Sequence, residues 1–194
     1  MRIIGGTLKG RAIFPPSGFK ARPTTDFAKE GLFNMLDNAY DLSTMRVLDL
    51  FSGTGSISYE FASRGVQEIY SVEMNPLHAA FIKRTAASFN IKGMHVVRHN
   101  VFDFLNICKL DFDIVFADPP YDIDGLDTIP DKVFNAPEVP GGLLREGGLL
   151  ILEHPGTYSF TTYPHFDRER KYGNVHFSFF KKSAVIFAKK FANK

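Results

Sequence analysis

Residues 47–56, VLDLFSGTGS, contain the pattern that decides the fold. A short apolar run leads to Asp49, and Gly53 and Gly55 then predict a tight turn into a helix, because glycine permits a sharp turn and the close approach of a ligand. Glu73 ends the next apolar run, where an acid binds the ribose diol in nucleotide-type sites. The pattern lacks the third glycine and a Walker lysine, so it favours a nucleoside cofactor over dinucleotides, nucleoside triphosphates or a turn used only for packing.

Short apolar runs alternate with helix-like segments along the middle of the chain. The predicted strands are 46–51, 68–73, 94–99, 112–118 and 147–154. The predicted helices are a segment capped by Asp26 that ends at Tyr40, a segment that ends at Arg64, and one from Pro76 to Asn90. Strands that are almost wholly apolar and alternate with helices predict a parallel sheet covered on both faces, which is an α/β fold.

The two ends of the chain extend this α/β unit. Residues 1–14 predict a small β-hairpin, and residues 169–182 and 183–190 predict antiparallel strands joined by a Gly-Asn turn and a later bend. We expect an N-terminal extension at residues 1–40 and a main domain at residues 41–194, within one compact unit. The Pro- and Gly-rich segment 122–147 is irregular, and we interpret it as a candidate lid over a substrate.

A second pattern, ADPPYD at residues 117–122, directly follows the fourth predicted strand. Open α/β sheets bind ligands at the carboxyl ends of their strands, and two prolines make this loop stiff. Tyr121 can stack on a planar ring, while Asp118 and the carbonyl group of Pro119 can accept both hydrogens of an exocyclic amine. The loop therefore favours an amine-bearing heterocycle over an ordinary turn with a surface tyrosine.

The composition is that of a globular protein, with 44% hydrophobic and 23% charged residues in 194. It excludes a disordered chain, collagen and a coiled coil, and the length suits one domain. The single cysteine, Cys108, excludes an internal disulfide, and the scattered histidines offer no zinc-ligand spacing. We therefore predict a reducing, cytoplasmic location and no metal site. Charges interrupt every long apolar run, so no membrane span or signal peptide is expected.

Charge is distributed unevenly along the chain. Residues 1–30 carry six Lys and Arg against two acids, and residues 167–194 carry eight against two. Residues 31–166 carry nine against seventeen. Two basic ends beside an acidic centre are typical of a protein that binds a polyanion through its ends, although charge that only confers solubility gives the same pattern.

Together the motifs resemble those of class I methyltransferases that use S-adenosylmethionine to modify exocyclic amines. The resemblance is closer to the RsmD-type 16S rRNA guanine-N2 methyltransferases of bacteria, and three further segments carry it: MRIIGGTLKGR at the start, RPTTDFAKEGLFNML at 22–36, and RKYGNVHFSFF near the end. It covers nearly the whole chain. It implies a Rossmann-like class I methyltransferase fold and the formation of N2-methylguanosine in small-subunit RNA.

The resemblance also implies roles for individual residues. The expected cofactor-binding residues are Asp49, Phe51, Ser52, Gly53, Gly55, Glu73, Met74, Asn100 and Val101, and the expected catalytic residues are Asp118, Pro119, Pro120 and Tyr121. The basic N-terminal end supplies further expected RNA-binding residues, and with those of the RPTTDFAKE segment they are Arg2, Lys9, Arg11, Lys20, Arg22, Thr24, Thr25 and Lys29. Asn100 replaces the aspartate that the family often has near adenine, and Lys29 replaces a common arginine.

Other functions remain open at this point. The same loop serves N6 of adenine in DNA or RNA, and related loops serve protein glutamine. A non-catalytic RNA-binding assembly factor would keep the fold, but it would have no chemical reason to keep both the Gly-Thr-Gly turn and the DPPY loop. A methyltransferase of small molecules is disfavoured by the basic ends. The expected partner is therefore 16S rRNA, the small ribosomal subunit or an assembly intermediate.

Overall fold

The computed structural model describes residues 1–16, 18–19 and 24–183 of the chain. Within them, the five predicted central strands are present, and their ends differ from the prediction by at most three residues. The strands are β1 Arg46–Leu50, β2 Glu68–Val72, β3 Met94–Val97, β4 Phe112–Ala117, β5 Leu144–His154, β6 Phe166–Tyr172 and β7 Val175–Lys181.

The seven strands form one sheet in the order β3-β2-β1-β4-β5-β7-β6. Strands β1 to β5 are parallel to one another, whereas β7 runs antiparallel to both β5 and β6. The chain passes from β1 to β2 on one side, and β4 pairs with β1 on the other, so the strand order reverses there. The Rossmann-like, mostly parallel fold is thus confirmed, and the reversal is where such sheets bind ligands.

Five helices accompany the sheet: α1 Asp26–Ala39, α2 Ser56–Ser63, α3 Pro76–Ser88, α4 Val101–Ile107 and α5 Ile129–Phe134. Asn75 caps α3 and Asn100 caps α4 through their side-chain oxygens. Thr25 caps α1, because its hydroxyl accepts the Ala28 N–H at 3.2 Å. The prediction that Asp26 is this cap was therefore wrong by one residue.

Each face of the sheet buries its own apolar core, because successive side chains of a strand point to opposite faces. Val47, Ile114 and Ile151 lie on the face that packs against α1 and α2. Leu48, Val115 and Leu150 lie on the face that packs against α4 and α5. Burial on both faces explains why the central strands are almost wholly apolar.

The N-terminal segment forms the small hairpin that the sequence predicts, and apolar side chains attach it to this body. Arg2 and Ala12 form its antiparallel bridge, and backbone hydrogen bonds from Ile13 to Met1 and from Ile3 to Arg11 flank it. Ile3 and Ile13 are buried in a third apolar cluster with residues of α2 and α3. The amide groups of Thr7 and Leu8 bind Ser63, the last residue of α2.

The segment 122–147 contains more regular structure than the sequence predicted. It contains a 3-10 turn, Leu126–Thr128, followed by α5, and β5 already begins at Leu144. Leu126, Ile129 and Val133 are fully buried in the core beneath this segment. These apolar side chains hold the middle of the segment against the sheet, and its role as a lid over a substrate stays a prediction.

The C-terminal strands agree with the prediction as far as the structure describes them. Strands β6 and β7 pair antiparallel, and Gly173 and Asn174 separate them. Ser183 lies outside any strand, and the rest of the strand predicted at 183–190 lies outside the described residues. No helix in the described part of the chain is long and apolar enough to cross a membrane.

Candidate active site

The turn after β1 brings polar groups to the carboxyl edge of the sheet. Phe51 has φ 61°, a left-handed conformation that is rare for a bulky residue, and Gly53 and Gly55 have φ 54° and 80°. A side chain at Gly55 would collide with the ring of Tyr59. The Ser52 hydroxyl donates to the carbonyl of Asp49 at 2.7 Å and closes the turn. Strained backbone at such a turn is typical of a ligand site.

Asp49 lies at the base of this turn and is 1% exposed. The Ser58 hydroxyl donates to its carboxylate and is itself 2.7 Å from the Ser71 hydroxyl. Burial raises the pKa of Asp49 to about 7, although hydrogen bonds from Ser58 and Ser52 oppose the shift. A carboxyl group that titrates near neutral pH is suited to bind a cation, because an adjacent positive charge favours its ionised form.

Glu73 follows β2 and is oriented by two backbone groups. Its carboxylate accepts the Gly53 N–H at 2.9 Å and the Asn75 N–H at 2.7 Å. These bonds fix an acid beside the glycine turn, as a ribose-binding residue requires. His78 from α3 lies 3.8 Å from the same carboxylate and stacks on Phe19.

Met74 and Asn100 lie side by side at the ends of β2 and β3. Met74 is 63% exposed, an unusual position for a long apolar side chain and one that suits a contact with a planar ring. The Asn100 oxygen accepts the Phe102 and Asp103 N–H groups at the start of α4, and its amide nitrogen lies 3.8 Å from the Met74 sulfur. The Asn100 oxygen therefore caps a helix already, and Asn100 and Met74 both line the cavity.

The N-terminus of α2 supplies further polar groups beside Asp49 and Glu73. Its N-cap, Gly55, offers no side-chain hydrogen bond, and the hydroxyl of Ser56 is buried without a partner. Unpaired N–H groups at a helix start attract anions. The start of α2 can therefore bind an anion, Asp49 a cation and Glu73 a diol. A nucleoside with an amino-acid tail carries all three groups, so these residues fit such a cofactor.

The DPPY loop follows β4 beside these groups. Asp118 is half-buried, Pro119 is buried, and the hydroxyl of Tyr121 donates to Glu153 at 3.2 Å. Glu153, near the end of β5, also accepts the hydroxyl of Thr24 at 3.1 Å. Desolvation raises the pKa of Asp118 well above its ordinary value, and the carboxylates of Glu153 and Asp49 raise it further. Asp118 is thus a stronger base than a solvated aspartate.

One cavity of about 560 Å³ joins the two halves. Every predicted catalytic residue lines it, and so does every predicted cofactor-binding residue except Gly55, which shapes the turn from behind. Sequence reasoning missed some of the lining residues. They are Thr54, Ser56, Ile57, His78, Phe116, Ile123, Glu153 and Val175. A charged residue at the end of the apolar run GGLLILEH was the available signal for Glu153.

The structure places those predicted RNA-binding residues that it describes in different surroundings. Thr24 and Thr25 line the cavity, Arg2 pairs with Asp26 at 2.9 Å, Lys9 and Arg11 are exposed, and Lys20 and Arg22 lie outside the described residues. Lys29 is 1% exposed and its ammonium group binds Glu60 at 3.1 Å and the carbonyl of Arg2 at 2.7 Å. The prediction for Lys29 is therefore corrected: a buried, paired ammonium cannot reach an RNA phosphate.

Within the described residues, two histidines and one glutamate form a cluster away from the cavity. His154, Glu169 and His176 lie together on β5, β6 and β7, with ligand-type atoms within 4.8 Å of one another. His154 binds the Ser178 hydroxyl at 2.8 Å, and His176 binds Glu169 at 2.9 Å. None of the three lines the cavity, and the cluster is hydrogen-bonded within the sheet.

Residues 1–181 match the family model described as Conserved hypothetical protein 95. The Ribosomal RNA small subunit methyltransferase D of Buchnera aphidicola is 28% identical over 184 residues, which cover 93% of this chain and 91% of that protein. A hypothetical protein of Thermus thermophilus has a similar structure, with a TM-score of 0.80, 29% identity, and coverage of 95% of this chain and 99% of that one.

A more distant structure is the 16S rRNA N2 G1207 methyltransferase (RsmC) of T. thermophilus in complex with AdoMet and guanosine. Its TM-score is 0.65 at 20% identity, and the match covers 84% of this chain and 45% of that one. At this identity the likeness shows the fold alone.

Proposed function

Since this chain belongs to the family described as Conserved hypothetical protein 95, we propose that it methylates N2 of a specific guanine in 16S ribosomal RNA. The RsmD-type resemblance is confirmed by this family and by the curated relative. The protein is a methyltransferase of the S-adenosylmethionine-dependent class, and rRNA is the substrate that its relatives indicate. The choice of guanine N2 as the atom that is methylated goes beyond what the relatives indicate.

The continuity of the cavity is the observation that carries the proposal. One end has Glu73, Met74 and Asn100 for a nucleoside, and the other has Asp118 and Tyr121 for an amine-bearing base. Asp49 and Asp118 both line the cavity and lie close enough for the charge of Asp49 to act on Asp118, so a methyl donor and an amine can approach each other within one cavity. Positioning two reactants in this way contributes several kcal/mol to rate acceleration.

The chain's own groups can activate the amine. The lone pair of guanine N2 is delocalised into the ring, which makes it a poor nucleophile. Asp118 and the carbonyl of Pro119 would accept the two N–H hydrogens and direct the lone pair toward the methyl group. S-adenosylmethionine supplies a methyl group that is already activated by its sulfonium. Asp118, with its raised pKa, would then take the proton that N2 loses.

The geometry also sets conditions on the RNA. The DPPY loop lies inside a cavity, so the target guanine must leave its stack to enter it. Tyr121 would stack on the extruded base, a contact worth about 1–3 kcal/mol in other proteins. We also propose a cytoplasmic location and the small subunit, or an intermediate of its assembly, as the partner. Residues 1–40 would contribute to RNA binding as part of the same unit.

Modified-nucleoside mapping in cells that lack this protein tests the proposal. We expect one N2-methylguanosine to disappear from 16S rRNA and to return with the wild-type gene. Asp118→Ala should not restore it, because loss of this group is expected to slow transfer at least about 100-fold. The matched control Asp124→Ala, at an exposed carboxyl outside the cavity, should restore it. Loss of N6-methyladenosine instead would favour the adenine alternative.

A further inference from the structure

Glu153 lies beside the catalytic loop in the sheet. Ala117 of β4 pairs with Leu152 of β5 in parallel register, so the next residues, Asp118 and Glu153, are neighbours at the carboxyl edge. Glu153 is 4% exposed, and it lines the cavity. A second carboxylate is therefore placed next to the one that would hold the target amine.

Two hydroxyl groups from different segments orient the Glu153 carboxylate. One oxygen accepts the Tyr121 hydroxyl at 3.2 Å, and the other accepts the Thr24 hydroxyl at 3.1 Å. Tyr121 belongs to the catalytic loop, whereas Thr24 precedes α1 and comes from the N-terminal part of the chain. The carboxylate is thus held in a fixed position where the two walls of the substrate half of the cavity meet.

Amine-bearing bases differ in the atom next to the amine. In guanine, N2 is flanked by N1, which carries a hydrogen and donates. In adenine, N6 is flanked by N1 without a hydrogen, and in cytosine N4 is flanked by N3, which also accepts. A carboxylate accepts hydrogen bonds and repels lone pairs. If Asp118 holds the amine, an acceptor one strand away favours guanine and opposes the other two bases.

We propose that Glu153 accepts the N1–H of the target guanine and is the residue that selects guanine among amine-bearing bases. This inference rests on the proposed function, because it assigns the substrate of the same site. It also gives a reason for an otherwise costly arrangement. Two neighbouring carboxyl groups oppose each other's ionisation, and the Glu153 charge acts on Asp118 in this way.

The test compares guanine with 2-aminopurine at the target position. 2-Aminopurine keeps the amine at C2, but its N1 carries no hydrogen and can only accept. The RNA is made by ligating a synthetic segment with either base and is then assembled into small subunits. Single-turnover rates of methyl transfer from S-adenosylmethionine are measured for the wild-type protein and for Glu153→Gln.

We expect the wild-type protein to prefer guanine at least about 100-fold, because the N1–H of guanine donates to the carboxylate, whereas the carboxylate repels the N1 lone pair of 2-aminopurine. Glu153→Gln should reduce this preference at least about tenfold, since an amide can donate to the N1 of 2-aminopurine as well as accept from guanine. The missing O6 of 2-aminopurine affects both proteins equally and cancels in the comparison.

Tyr121→Phe is the matched control, because it removes a hydrogen bond to Glu153 and leaves the carboxylate in place. It should slow transfer to both bases by a similar factor and leave the preference unchanged, because the Thr24 hydroxyl still holds the other oxygen of the carboxylate. Glu153→Asp, which keeps the charge, should also retain the preference. S-adenosylmethionine affinity, measured by calorimetry, shows that each variant is folded.

The outcomes separate the two claims. If the wild-type protein fails to methylate guanine in these particles, the proposed function fails. If it methylates guanine and Glu153→Gln keeps the wild-type preference within about twofold, the proposed function stands and the role of Glu153 is overturned. A preference that falls equally in Tyr121→Phe would also overturn it, because the effect would then follow loop position rather than the carboxylate.

Discussion

At the scale of single residues, the ionisation of Asp49 should make cofactor binding depend on pH. Its pKa is raised to about 7 by burial, so the carboxyl group is largely protonated at pH 5.5 and half ionised near neutrality. A cofactor with a cationic group near Asp49 would bind the ionised form. Binding must then release a proton at pH values below about 7.

We therefore expect the affinity for S-adenosylmethionine to increase roughly tenfold between pH 5.5 and 7. Calorimetry in two buffers of different ionisation enthalpy should show release of nearly one proton at the lower pH. Asp49→Asn keeps the shape of the side chain and should abolish the pH dependence. Equal pH dependence in both proteins would mean that another group titrates.

The residues of the site that sequence could identify are those within local motifs. Asp49, Glu73 and the DPPY loop follow predicted strands, and strand ends of a parallel sheet meet at one edge. Glu153 lies near the end of the fifth predicted strand and could have been placed by the same rule. Its contact with Thr24 could not be predicted, since it spans 129 positions of the chain. Lys29 was misassigned for the same reason, because its partner Glu60 lies in another helix.

At the scale of elements, the pair of Lys29 and Glu60 joins α1 to α2. Glu60 is fully buried, and it also accepts hydrogen bonds from Arg64 at 2.6 Å and from the Ile4 amide at 2.9 Å. The pair thus holds the first helix, the cofactor-side helix and the N-terminal segment together. Removing one partner leaves a buried charge less well compensated.

Lys29→Met should lower the free energy of unfolding by about 3–5 kcal/mol, measured by urea denaturation. Arg2→Met, at an exposed ion pair near the same helix, should lower it by less than about 1 kcal/mol and serves as the control. The salt dependence of RNA binding should not change in Lys29→Met. A weaker salt dependence with unchanged stability would instead place Lys29 at the RNA.

The prediction of helices and strands succeeded where burial determines the pattern of apolar residues. It failed where a single contact determines the local structure. Apolar runs located the strands, but nothing local distinguished Thr25 from Asp26 as the cap of α1. The segment 122–147 has the proline and glycine content of a loop, yet three buried apolar residues fold it onto the sheet.

At the scale of the whole molecule, the basic residues near Lys9 lie at the opposite end of α2 from the cavity. The segment around Lys9 binds Ser63, at the end of α2, whereas the cavity lies at its first turn. Eight residues of helix span about 12 Å. Lys9 and Arg11 could therefore contact RNA phosphates beyond the target nucleotide rather than the nucleotide itself.

Replacing both Lys9 and Arg11 with glutamine should lower the slope of log affinity against log salt by about 0.7–0.9 for each phosphate that the protein no longer neutralises. Affinity for S-adenosylmethionine should stay unchanged, because neither residue lines the cavity. Lys109→Gln, at an exposed lysine on another surface, should leave the slope unchanged. An unaltered slope in the double variant would mean that these charges confer solubility only.

The central claim is that the cavity transfers a methyl group to guanine N2 in small-subunit RNA. The most direct measurement uses purified protein, labelled S-adenosylmethionine and small subunits from cells that lack this protein, followed by mass spectrometry of the nucleosides. We predict one labelled N2-methylguanosine per particle, formed by the wild-type protein and not by Asp118→Ala. Label in N6-methyladenosine, or labelling that persists in Asp118→Ala, would contradict the account.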